Sequence, residues 1–352
     1  MAGGGTGGHV VPALAVAREL VAAGHEAIFI GTRRGAEATL VPRAGFRIEW
    51  IEIGGLQRVG WRKGLASLIQ LPLSTIRSLR ILRRHSAAAV FSMGGYVAAP
   101  VMLAAIAARV PVVVMEPNAL PGLVSRRLAR FVRKALVSWP ETARWFPQGR
   151  VEVTGLPVRE EFFSIPEKQP GSLLTLLVTG GSRGAAALNR ASRESWPIFR
   201  KRGDAVRFIL QCGSAEYERL AAEFNAQGLD GEVAAFIHDM PKVYAEADLI
   251  VSRSGAGAVA EIAAAGKPAI LVPFPYAADD HQRHNAEGLA RLGGARILLE
   301  AELNGESLHR TVTELAREPE KLLEMGRASR RAARAGAAAI AARTLIEEAR
   351  KR

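Results

Sequence analysis

The sequence predicts an α/β protein of two doubly wound domains, each a parallel sheet with helices on both faces. Short β-branched runs alternate with helical patterns along nearly the whole chain, as βαβ units require. The alternation stops at a polar, proline-containing stretch, REEFFSIPEKQPGS at 159–172, and then restarts. Each half also opens on a glycine-rich turn, GGGTGGH at 3–9 and TGGSRGAAALN at 179–189. A chain of 352 residues exceeds what one core usually supports, which favours the same division.

In the first half the strand-like runs are EAIFI (26–30), RIEWIEI (47–53), AAAVF (87–91), VPVVVM (110–115), ALVS (135–138) and VEVTG (151–155). In the second they are LLTLLVTG (173–180), VRFILQC (206–212), DLIVS (248–252) and PAILVPF (268–274). Residues 85–108 carry no Lys, Arg, Asp or Glu and are long enough to cross a bilayer, but Gly94, Gly95 and Pro100 divide them into strand, turn and helix. The Ala- and Arg-rich tail after Pro319 reads as a terminal helix. Only Met1 and Ala2 precede the first glycine turn, where a buried strand belongs. Met1 therefore reads as an internal start, with about five to ten strand residues expected upstream.

Lys and Arg number 47 against 34 acidic residues, a net charge of +13. Such a chain suits anionic partners, whether nucleic acid, acidic lipid or phosphorylated substrate. The single cysteine, Cys212, excludes an internal disulfide and a multi-cysteine zinc site.

Gly3, Gly5 and Gly8 satisfy G-x-G-x-x-G, but GTRRG (31–35) stands where a dinucleotide fold places the acidic residue that holds the ribose. No glycine loop ends in G-K-[ST], against a P-loop. Glycine turns that run into helices still let backbone N–H groups approach phosphate oxygens at the positive end of the helix. His9, at such a helix start, is a candidate general base or a cap. In the second half RSGAGAVAE opens a helix after DLIVS, with Glu261 in its early turns, placed to accept from a ribose diol or to partner the helix dipole. Ser182 and Asn189 add side-chain donors to the second glycine turn. His281 and His284 lack a third metal ligand, and no D-x-D occurs, so a diphosphate leaving group would rest on helix N-termini and basic side chains. The segment 61–85 interleaves Leu65, Leu68, Ile69, Leu71, Leu73, Ile76 and Leu79 with Arg62, Lys63, Arg77, Arg80, Arg83 and Arg84. Such a helix suits an anionic bilayer surface or ordinary packing on the sheet.

Seven segments in order resemble the glycosyltransferase family 28 enzymes of peptidoglycan synthesis: GGTGGHVVPALAVA, MGGYVAAP, EPNALPG, VTGLPVR, TGGSRGAAALN, DMPKVYAEADLIVSRSGAGAVAEIAAAGKPAILVPFP and DHQRHNA. The resemblance implies a GT-B fold, two Rossmann-like domains facing a cleft. An acceptor- and membrane-facing domain would cover 1–160 and a UDP-GlcNAc-binding domain 161–352, with the terminal helix returning to the first. It implies inverting transfer of N-acetylglucosamine from UDP-GlcNAc to the C4 hydroxyl of the muramoyl sugar of lipid I, giving lipid II, with no metal or other cofactor.

Position by position, the resemblance implies donor contacts at Thr6, Gly7, Gly8, Asn118, Arg159, Ser182, Ile237, Ala256, Gly257, Ala258, Val259, Ala260, Glu261 and Gln282. Arg159 and Ser182 would face the diphosphate, Ile237 the uracil and Glu261 the ribose. Gly3, Gly4, Gly5, Gly94, Gly95 and Tyr96 would cradle the acceptor diphosphate, and His9 would be the base. The segment 61–85 falls where the family docks on the cytoplasmic membrane face; nucleic acid has no place in this scheme. The chain departs from the family's common H-E-Q-N at Met115-Glu116-Pro117-Asn118, so no role of that histidine transfers to Met115. Gly257 and Ala258 replace larger and hydroxylated residues, leaving Ala258 only its backbone N–H. Competing readings are a GT-B transferase with another lipid acceptor such as diacylglycerol, a UDP-sugar isomerase, and an NADP-dependent oxidoreductase.

Overall fold

The computed structural model describes residues 1–53, 61–169, 171–181 and 183–351, and over 61–69 the backbone. The chain forms two compact units, Met1–Pro157 with Gly336–Arg352, and Val158–Ala335.

The first unit runs α1 (Gly7–Ala22), β1 (Ile28–Gly31), α2 (Glu37–Arg43), β2 (Arg47–Trp50), α3 (Trp61–Arg84), β3 (Val90–Ser92), α4 (Gly95–Ala107), β4 (Val112–Glu116), α5 (Leu123–Leu128), β5 (Lys134–Val137) and β6 (Val151–Val153). β1 pairs with β2, and β3 to β6 form a four-stranded sheet, all in parallel. Ala2 bridges the two sets, pairing with Ile30 on one side and Ser92 on the other. Met1 and Ala2 thus stand where the sequence predicts a strand. The sheet reads β2, β1, Ala2, β3, β4, β5, β6, so the winding reverses between Ala2 and β3. At such a switch point the loops above the sheet diverge and open a crevice.

Burial explains the local choices. β4, VVVME, is buried at every position, as an apolar run between two helix layers should be. α4 is apolar all round and packs on α3, so the charge-free run at 85–108 is core. Among the described residues no helix is long and apolar enough to cross a membrane.

The second unit runs α6 (Glu160–Phe163), β7 (Leu174–Thr179), α7 (Ala186–Arg202), β8 (Val206–Gln211), α8 (Tyr217–Gln227), β9 (Gly231–Ala234), α9 (Met240–Glu246), β10 (Leu249–Ser252), α10 (Ala256–Ala265), β11 (Ala269–Leu271), α11 (His281–Arg291), β12 (Ala295–Ile297), α12 (Gly305–Ala316) and α13 (Pro319–Ala332). Its parallel sheet has the order β12-β11-β10-β7-β8-β9, the Rossmann order, with its switch point between β7 and β10. Trp196 and Phe224 (ring centroids 5.0 Å apart) and Phe199 and Phe208 (5.2 Å) pack edge to face in its core.

Two sequence readings need correction. β9 and β12 went unread because GEVA and ARI are short edge strands with little buried apolar surface to mark them. The tail is two helices, α13 and α14 (Ala337–Arg350), parted at 333–336, where Gly336 takes φ +74°. α14 packs on α1 within the first unit.

Candidate active site

In the first unit the glycine turn leaves Ala2 at the switch point and enters α1 through Thr6, an N-cap in extended backbone. The first helical bonds run from His9 and Val10 N–H to the Thr6 carbonyl (3.1 and 3.3 Å). Gly7 and Gly8 therefore keep N–H groups outside the helical ladder, and a Cβ at Gly7 would meet nothing within 4 Å. The α1 start is an open anion-facing end. Beside it, Gly94 and Gly95 turn with φ +71° and +76°. A Cβ on Gly95 would lie 3.4 Å from His9 Cε1, so the imidazole packs on bare backbone. Tyr96 edges against Gly5.

Asn118 follows β4, and its backbone and side-chain N–H groups both donate to Glu116 Oε1 at 3.2 Å, while Gly122 N–H donates to Oε2 at 3.3 Å. Burial raises the Glu116 carboxyl above its ordinary range, opposed by the hydrogen bonds from Asn118 and Gly122. Glu116 Oε2 is 3.9 Å from the Cβ position of Gly94. The structure thus brings together His9, the two glycine turns, Tyr96 and Asn118.

The expected cradle of Gly3, Gly4 and Gly5 is corrected. Gly3, Gly4 and Gly94 are buried beneath the turns, and Gly5 N–H donates to Glu37 Oε2 at 2.8 Å. Gly7 and Gly8, whose N–H groups lie outside the helical ladder, are the donors that remain at this turn's entry to α1. Sequence reasoning missed Glu37, because its partner lies 32 residues away.

In the second unit the turn after β7 packs on the end of β8 so closely that a Cβ on Gly184 would sit 1.9 Å from the Cys212 carbonyl oxygen. Ser182 lies outside the described residues. Asn189, expected to face a ligand, instead donates to the Cys212 carbonyl (2.9 Å) and Glu216 Oε2 (2.6 Å), because the first turn of α7 faces the β8–α8 loop. Gln211, which the sequence did not single out, is buried. Its Nε2 donates to Gly181 O (2.9 Å) and its Oε1 accepts from Ile237 N–H (2.8 Å), tying the turn to the Ile237 loop.

α10 starts at the other side of the switch point. Its first ladder bond, from Val259 N–H to the Gly255 carbonyl (3.0 Å), leaves the N–H groups of Ala256, Gly257 and Ala258 as an open helix end. No atom approaches the Cβ positions of Gly255 and Gly257 within 4 Å. Val259 itself is corrected: its side chain is core and its N–H is engaged. Ala260 is half-buried behind it. Burial pushes Glu261 up to about 7, opposed by the Arg159 guanidinium. Arg159 lies over the Phe162 ring (4.9 Å), which meets Tyr244 edge to face (5.0 Å). Burial, and then the Glu261 carboxylate, raise the Tyr244 phenol. Gln282 Oε1 accepts from Phe274 N–H (3.0 Å) at the start of α11.

His281 Nδ1 donates to Ala278 O (2.6 Å) and His284 lies 3.5 Å from Glu287. Among the described residues no group of three or more His, Cys, Asp or Glu is placed to hold a metal. On α3 the exposed stripe holds Leu73, Ile76, Arg77, Arg80, Arg83 and Arg84, while Ser74, Ser78, Ile81 and Leu82 are buried. The side chains of Arg62, Lys63, Leu65, Leu68 and Ile69 lie outside the described residues.

Two Rossmann-type sheets, each with a glycine turn and an open helix start at its switch point, make up the architecture of the GT-B class. The glycosyltransferase family 28 N-terminal domain matches residues 1–137 and the family's C-terminal domain residues 175–343. The chain belongs to glycosyltransferase family 28. It is 57% identical over 350 residues to the UDP-N-acetylglucosamine–N-acetylmuramyl-(pentapeptide) pyrophosphoryl-undecaprenol N-acetylglucosamine transferase of Solibacter usitatus (strain Ellin6076), covering 99% of this chain and 96% of that protein. The protein of the same description from Geotalea uraniireducens (strain Rf4) is 41% identical, with 97% and 95% covered. MurG of Acinetobacter baumannii superposes with a TM-score of 0.84 at 33% identity, covering 98% of this chain and 97% of that one. A UDP-GlcNAc 2-epimerase from Neisseria meningitidis shares the fold at a TM-score of 0.64 and 13% identity, with 97% and 96% covered.

Proposed function

We propose that this chain transfers N-acetylglucosamine from UDP-GlcNAc to the C4 hydroxyl of the muramoyl sugar of lipid I, forming lipid II. The observation that carries the reading is the open start of α10 with Glu261 one turn further on, a site for a diphosphate next to a ribose, in a chain 57% identical to a transferase of that description. The N–H groups of Ala256, Gly257 and Ala258, with Arg159 and Ser182, hold the diphosphate; Glu261 accepts from the ribose hydroxyls; Ile237 borders the uracil and Gln282 the sugar. Thr6, Gly7, Gly8 and Asn118 complete the donor set, and Gly95 and Tyr96 border the acceptor.

His9 removes the C4 hydroxyl proton as that oxygen attacks the anomeric carbon. The carbon–oxygen bond to UDP breaks on the opposite face with its electron pair passing to the β-phosphate, where helix N–H groups and Arg159 meet the growing charge. One displacement converts the α-linked donor to a β-linked product. The exposed Leu73 and Ile76, with the arginines beside them on α3, support the reading that the first unit docks on the anionic cytoplasmic face of the membrane.

The test is transfer of labelled sugar from UDP-GlcNAc to a shortened lipid I analogue by the wild type, His9→Ala and Glu261→Ala. The reading expects loss of turnover with donor binding kept in His9→Ala, and weakened donor binding in Glu261→Ala. Epimerised donor in the absence of acceptor, or no transfer by the wild type, refutes it.

A further inference from the structure

Glu37, the first residue of α2, is fully buried in the first unit. Its Oε1 accepts from Thr32 N–H (2.9 Å) and Thr32 O–H (2.7 Å), and its Oε2 accepts from Gly5 N–H (2.8 Å). Among the described residues no cation pairs with it. Gly4, Gly31 and Gly35 close around the carboxylate: a Cβ on any of them would come within 2.6 Å of a Glu37 atom. A buried carboxylate with no cation beside it rests on these three hydrogen bonds, where a neutral acceptor would suffice to hold a loop.

The peptide that Glu37 grips explains what the charge can do. The Gly5 N–H belongs to the Gly4–Gly5 peptide, and the carbonyl of that same peptide is the hydrogen-bond partner of His9 Nδ1, at 3.3 Å. In a trans peptide the two groups point to opposite sides. The order in space is therefore carboxylate, peptide, imidazole.

We propose that Glu37 is the positioning residue of the base, acting through the Gly4–Gly5 peptide to hold His9 as the Nδ1–H tautomer. A charged acceptor on the N–H polarises the peptide and strengthens its carbonyl as an acceptor. That carbonyl accepts only, so it selects the ring form with the proton on Nδ1 and the lone pair on Nε2, the nitrogen that takes the substrate proton. A carboxylate serves this end by direct contact in serine hydrolases; here one peptide unit stands between. The proposal rests on the assignment of His9 as base, but its first test needs no substrate.

Nitrogen-15 spectra of the histidine-labelled full chain, with His9 assigned by its loss in His9→Ala, report the tautomer directly. Neutral His9 is expected with Nδ1 protonated; a wild-type ring protonated on Nε2 overturns the proposal whatever the enzyme transfers. In Glu37→Gln the amide oxygen is expected to stay with the two Thr32 donors, which turns the NH2 group against Gly5 N–H. The expected result is a mixed tautomer signal, a fall in kcat of roughly 10- to 100-fold, and unchanged KM for UDP-GlcNAc. Val41→Ala, a core truncation in the same helix, serves as the stability control: it should lower Tm while keeping the tautomer and kcat. Loss of kcat in Val41→Ala equal to that in Glu37→Gln, or a Glu37→Gln ring identical to wild type, refutes the relay. Absence of transfer by the wild type would instead strike the proposed function and leave the tautomer result standing.

Discussion

Glu261 ties donor binding to pH. Burial raises its carboxyl from 4.5 to about 7, so near neutrality the free protein carries it partly protonated. The raised value stabilises the folded state below pH 4.5, and this contribution is lost as pH rises through about 7. A ribose diol donates to the carboxylate, so donor binding takes the ionised form and releases a proton. Affinity therefore improves with rising pH and levels off above 7. With a free-protein value of about 7 and a fully ionised complex, the dissociation constant is about tenfold weaker at pH 6 than at pH 8. UDP-GlcNAc is the ligand of choice, because its doubly esterified diphosphate stays ionised across this range. Calorimetric titration in two buffers of different ionisation heat gives affinity and protons released together. Glu261→Gln should abolish this component of the pH dependence and weaken binding at pH 8 by roughly 10- to 100-fold, the worth of hydrogen bonds to a charged acceptor. Equal affinity at pH 6 and 8, or the same slope in Glu261→Gln, would refute the ribose role.

Two further predictions concern the frame of the site. Gly184 takes φ +72° and its Cβ position lies 1.9 Å from Cys212 O, so Gly184→Ala should destabilise the second unit by about 3 kcal/mol or more and lower Tm by roughly 10 °C; an unchanged melting curve would contradict the packing. Leu73→Glu with Ile76→Glu should release the protein from anionic vesicles in a flotation assay, while transfer to a water-soluble acceptor analogue persists. Undiminished vesicle binding would move the membrane contact off α3.

Much of this was legible in the sequence, for physical reasons. Buried parallel strands such as β4 (VVVME) and β10 (LIVS) are apolar on both faces, so composition alone marks them. The glycine turns were legible because bare backbone is required where Gly95 meets His9 and Gly184 meets Cys212 O. The partners that hold those turns were not. Glu37 reaches Gly5 across 32 residues and Gln211 reaches Ile237 across 26, and neither pairing has a local periodicity to announce it. Asn189 and Val259 were assigned to the ligand from their place in a motif, whereas helix phase turns both inward. A motif marks which turn matters; topology decides which of its atoms face outward.

The most direct test of the central claim is the structure of the first product formed from UDP-GlcNAc and a lipid I analogue. The account predicts a single N-acetylglucosamine in β-linkage to O4 of the muramoyl sugar, seen by NMR as a large three-bond coupling between the axial H1 and H2 of the new residue. An α-linked product, attachment at another hydroxyl, or an epimerised donor with no disaccharide would contradict it.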